Sequence, residues 1–114
     1  MEIIKCNDVF PKNNSNACKV IEYSFKNKNI DLCISTITGR YPENGYSVNT
    51  ECKMLVYILE GNGKIFIENQ EIFFSKGDSI LIEKNEKYYW NSDFCKISIT
   101  CTPAWNIAQY KILE

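Results

Sequence analysis

A lone guanidinium, a Glu-Cys-Lys triplet and an aromatic pair are the groups in this chain best suited to chemistry. Arg40, in Gly39-Arg40-Tyr41-Pro42, is the only arginine beside twelve lysines. Its planar fork suits a carboxylate or phosphate held through two parallel hydrogen bonds. The plainer reading is a surface arginine paired with solvent. Glu51, Cys52 and Lys53 are consecutive. A carboxylate and an amine near a tyrosine could move protons if their pKa values were shifted. Cys52 beside Lys53 could be a reactive thiol. Against this, charge at a strand start is commonly solvated, and no general base is identifiable for Cys52. Tyr88 and Trp90 share one strand face by period two. Such a pair suits a sugar ring or another flat ligand, and it is also ordinary strand chemistry.

The elements that must position these groups are short strands. Val20–Phe25 and Asp31–Thr38 have strand composition. In the second, Cys33, Ser35 and Ile37 share one face, and Leu32, Ile34, Thr36 and Thr38 share the other. Residues 39–50 carry Gly, Pro and Asn-Gly and read as a loop. Lys53–Glu60 is apolar on both faces, which predicts cover on both. Gly61-Asn62-Gly63 reads as a tight turn returning the chain through Lys64–Glu68. Further strands are expected at 71–74, 79–82, 87–90 and 94–101. The tail from Pro103 could hold a helical turn near residues 104–108 and then a final strand. Eight or nine such strands without a long helix predict an all-β sandwich or barrel.

Length and composition bound the function. The 114 residues are expected to form one domain over 1–114. A net charge of −1 argues against a direct nucleic-acid partner or a cationic membrane binder. No apolar run is long enough to span a bilayer, and Met1–Cys6 lacks a signal peptide's apolar stretch. A cytoplasmic location is therefore expected. The six cysteines form no Cys-x-x-Cys pair, so reduced, partly buried thiols are the default.

Leu55-Val-Tyr-Ile-Leu-Glu-Gly-Asn-Gly-Lys64 resembles the first motif of the cupin superfamily, and Lys76-Gly-Asp-Ser-Ile-Leu-Ile-Glu-Lys-Asn-Glu-Lys-Tyr88 resembles the second. Residues 68–74 match the hairpin between them, and the likeness covers residues 39–102. The resemblance implies a double-stranded β-helix, the jelly-roll barrel, closed at one end with a pocket at the other.

The resemblance also implies where metal ligands would stand. Counting back seven residues from Gly61 puts Met54 at the glutamate position. The histidine positions of the first motif fall at Asn49 or Thr50 and at Ser47 or Val48, and that of the second falls at Tyr88. A count forward from Gly45 gives Glu51 and Lys53 instead. The chain has no histidine, so the expectation is a barrel with no metal and no cofactor. The histidine base of metal-free cupin epimerases is missing as well. What remains is a cupin-like domain binding a small organic molecule, anionic or carbohydrate, with Arg40, Tyr41, Asn49, Glu51, Met54, Tyr88 and Trp90 around the pocket. The alternatives are a metal-independent lyase or isomerase using Tyr88 with Glu51 or Lys53, and a structural dimer. A homodimer is expected in each case, covering Leu55, Tyr57 and Leu59 unless the tail does so.

Overall fold

The computed structural model describes residues 1–114. Nine strands form: β1 Lys12–Ser15, β2 Cys18–Tyr23, β3 Asp31–Tyr41, β4 Tyr46–Asn49, β5 Lys53–Ile67, β6 Gln70–Ser75, β7 Ser79–Ile82, β8 Tyr88–Thr102 and β9 Tyr110–Leu113. Every pairing is antiparallel. One path runs β1-β2-β3-β8-β4-β9, and β5 joins β8 to β6 and β7. The sheet curls into the jelly-roll barrel implied by the motifs. No helix is long and apolar enough to cross a membrane.

Three long strands do the curling. β3 has 11 residues, and β5 and β8 have 15 each. This corrects the hairpin expected at Gly61-Asn62-Gly63. The chain does not turn back there. β5 continues through both glycines, paired with β8 on one side and β6 on the other, with register shifts at Ile58/Glu60 and Asn62/Lys64. A bulge beside glycine bends a strand without ending it. The expected strands at 87–90 and 94–101 likewise merge into β8. Residues 39–50 are not one loop: β3 runs on to Tyr41, and Tyr46–Asn49 forms β4. The first expected strand lies slightly earlier, at Cys18–Tyr23. In the tail, a 3₁₀ turn at Ile107–Gln109 leads into β9.

Alternation along β5 sets the core. Met54, Val56 and Ile58 point inward at 5%, 0% and 0% exposure, while Leu55 and Tyr57 point outward at 52% and 47%. The cover expected for the second face is absent within the chain. β9 pairs with β4 instead, so the tail lies elsewhere.

Candidate functional site

Inward-facing residues of two curled layers enclose a cavity of about 540 Å³. Along β3, Asp31, Cys33, Ser35 and Ile37 face it, and along β8 Ile97, Ile99 and Cys101 do. Antiparallel register sets Asp31 opposite Cys101, and Cys101 opposite Met54. The facing wall is aromatic. Tyr41 ends β3, Tyr88 and Trp90 open β8, and Trp105 and Tyr110 come from the tail. Lys12, Asn14, Glu22, Ser24 and Ile107 also line the cavity and are exposed, so they mark its opening.

Asn49 ties the wall together. It is 3% exposed. Its Nδ2 donates to Tyr88 Oη at 3.2 Å and to Met54 Sδ at 3.5 Å, and its Oδ1 accepts from Trp105 Nε1 at 2.9 Å. Tyr110 Oη and Ser47 Oγ share a hydrogen bond of 2.6 Å. The tail is held from below by Gln109, whose Oε1 accepts from the backbone N–H of Glu51 and Cys52 at 3.1 and 2.8 Å.

Burial sets the ionisation of these groups. It pushes the Tyr88 phenol well above its ordinary value, so Tyr88 is a neutral hydroxyl at physiological pH. Tyr41 and Tyr110 are raised for the same reason. Burial pushes the Cys18 thiol up to about 12 and Cys33 to about 11. Cys101 is raised by its hydrogen bond with Cys52 and then by burial, and the same bond lowers Cys52. The cavity thiols are therefore protonated and act as small apolar groups rather than nucleophiles. Ellman's reagent added to the native protein at pH 8 should find one fast thiol, the exposed Cys6. The four buried thiols should react only on unfolding, and the half-buried Cys33, with its pKa pushed up to about 11, only slowly. A second fast thiol would contradict this burial pattern.

The structure brings together four of the seven residues expected around the pocket: Tyr41, Met54, Tyr88 and Trp90 line the cavity. Asn49 stands directly behind them. Arg40 and Glu51 are elsewhere. Arg40 alternates outward on β3 while Tyr41 faces in. Its guanidinium lies 3.7 Å above the Tyr89 ring and donates to the carbonyls of Pro42 at 2.6 Å and Gly45 at 3.0 Å. Its bidentate geometry is spent on the backbone of the 42–45 loop, which corrects its placement at the pocket mouth. Arg40→Ala should lower stability by roughly 1–3 kcal/mol in urea denaturation. An unchanged midpoint would remove the loop-clamping role.

Glu51 is exposed and lines a separate depression of about 250 Å³ with Lys53, Glu83, Lys84 and Thr102. Glu51 and Lys53 therefore do not converge with Tyr88, whose hydroxyl is occupied by Asn49 and Met54. Sequence reading missed Asp31, Trp105 and Tyr110. Asp31 shares the period-two face of Cys33 and Ser35, and that alternation was the available signal.

The fold implies a metal, and the residues present do not fit one. The matched positions supply a thioether, an amide and a neutral phenol. No group of three or more His, Cys, Asp or Glu side chains is placed to hold an ion.

No protein-family model matches the sequence, and no curated protein does. Solved structures do. Pac13, described as a unique nucleoside dehydratase, aligns with TM-score 0.86 at 13% identity, over 100% of this chain and 92% of that one. A variant of Streptomyces PAC13 with uridine gives 0.85 at 14%, over 100% and 93%. An RmlC-like cupin from Shewanella frigidimarina NCIMB 400 gives 0.76 at 13%, over 91% and 92%. The chain has the cupin barrel fold.

Proposed function

We propose that the barrel cavity binds a small, ring-bearing organic molecule with hydroxyl groups, of nucleoside or sugar size. The observation that carries this is the cavity of about 540 Å³, open on one side and walled by Tyr41, Tyr88, Trp90, Trp105 and Tyr110. Small-molecule sites typically span about 300–1,000 Å³ and combine apolar walls with a few polar groups. The similar barrel solved with uridine supports a ligand of that size. An anionic ligand is no longer the favoured choice, because the only arginine faces away from the cavity. Calorimetric titration with uridine and with methyl glucoside tests the reading. At least one should bind with a dissociation constant on the order of a millimolar or below. Cys33→Phe, which narrows the cavity, should abolish the signal, whereas Arg40→Lys should leave it within about twofold. Binding that survives Cys33→Phe in a folded protein would place the ligand elsewhere.

We also propose a homodimer formed through the outer face of the β2-β3-β8-β5-β7 layer. Two cross-strand rows there carry no charge: Tyr23, Leu32, Thr100, Leu55 and Leu81, and Ile21, Ile34, Ser98, Tyr57 and Ser79. Exposed Leu55, Tyr57 and Leu81 form an apolar surface of the kind that pairs with a second copy. Light scattering at high micromolar concentration should report twice the chain mass, and Tyr57→Lys should halve it. A monomeric parent protein would reject the dimer. The six unpaired thiols favour a reducing compartment, the cytoplasm, as the site of action.

A further inference from the structure

Asp31 stands apart among the groups that line the cavity. Its Oδ2 accepts from the backbone N–H of Trp105 at 2.9 Å. Its Oδ1 is buried and has no hydrogen-bond partner. The group opposite it on β8 is the Cys101 thiol, a weak donor. A buried carboxylate oxygen without a strong donor is costly, and such groups in native proteins call for an explanation.

The charges around it narrow what could complete it. Glu22, from β2, also lines the cavity but is engaged by Lys12 of β1 at 2.5 Å. Cys33 of β3 and Cys101 of β8 are held protonated by their surroundings. The three tyrosines of the wall are neutral. No cation reaches Asp31 from any element packed against it, and Arg40 lies outside.

We propose that Asp31 is the polar anchor of the cavity: it receives an O–H or N–H donor from the bound molecule, and the site therefore selects donor-bearing ligands and rejects anions. The proposal rests on the cavity being a binding site. The aromatic wall suits the ring of such a ligand, whether the donor is a hydroxyl or an ammonium, since a cation is also favoured over aromatic faces.

Burial raises the Asp31 pKa above its ordinary value, which gives the anchor a pH signature. A carboxyl whose folded pKa is raised stabilises the protein below its unfolded pKa, and that contribution is lost as pH rises through the folded value. At neutral pH, where Asp31 is ionised in the unfolded chain, the raised folded pKa therefore weakens the fold, and Asp31→Asn should raise the melting temperature at pH 7. Binding of an ammonium runs the other way: it needs the ionised carboxylate and should weaken as pH falls through the folded pKa.

Three probes with one ring separate the possibilities: benzyl alcohol, benzylammonium and benzoate, followed by NMR titration at pH 7. Benzyl alcohol and benzylammonium should each bind roughly tenfold or more tightly than benzoate. Asp31→Asn should remove the advantage of benzylammonium, and Asp31→Leu that of benzyl alcohol as well. Equal binding of all three probes, or a preference that survives Asp31→Leu, would overturn the role of Asp31 while leaving the cavity as a binding site. Binding of none would overturn the cavity reading and the anchor together. A purely structural Asp31 would instead lower stability in Asp31→Asn and leave the order of the probes unchanged.

Discussion

Gly61→Ala is expected to destabilise the protein by about 3 kcal/mol or more, a large fraction of the stability of a typical domain. Gly61 has φ +82°, a conformation that alanine adopts only with strain. An added methyl would also enter the Phe94 carbonyl oxygen and come within 2.9 Å of Cys95 Cα, both backbone atoms of β8. Neither can yield without disturbing the β5–β8 pairing that joins the two layers. Gly63→Ala should behave similarly, since its methyl would meet Ser92 Cβ at 2.7 Å and the Asn91 carbonyl at 2.9 Å. Chemical denaturation measures both. A loss below about 1 kcal/mol for Gly61→Ala would mean that the corner can relax and that the close approach is not what shapes it.

Asn49→Leu should cost roughly 2–4 kcal/mol, because it leaves the Trp105 indole N–H without its acceptor and the buried Tyr88 hydroxyl without its donor. The effect should reach the cavity as well as the fold. Trp105 belongs to the tail, and Asn49 fixes it against the barrel through the 2.9 Å bond. Its indole should show increased mobility in the variant, and ligand affinity should fall with it. Tryptophan fluorescence and urea denaturation would measure the two effects. A stable Asn49→Leu protein with unaltered indole emission would show that packing alone holds Trp105.

The barrel was legible where local pattern and motif order agreed. Lys53–Glu60 is apolar on both faces, so it was the motif count from Gly61 to Met54 that marked the inner face of β5, and the spacing from Gly61 to Gly77 that marked the fold. Gly61-Asn62-Gly63 was misread because glycine serves hairpin turns and close backbone approach alike. Only the pairing of Asn62 with both Ser75 and Phe94 distinguishes the two. Tyr88 entered the site through its place in the second motif. Arg40 was misplaced because its chemistry fits an anion and its backbone partners, Pro42 and Gly45, are local contacts that composition does not reveal. Asp31 was passed over, although its alternation with Cys33 and Ser35 put it on their face. What alternation could not show is its hydrogen bond from Trp105, 74 positions away in the chain.

The central claim is that the interior of the barrel is a small-molecule site. An NMR titration of the protein with uridine, following backbone amides and the tryptophan indoles, tests it most directly. The account predicts saturable shifts at Cys33, Ser35, Met54, Trp90 and Trp105, residues brought together only by the cavity. Saturable shifts confined to the outer face at Leu55, Tyr57 and Leu81 would contradict it.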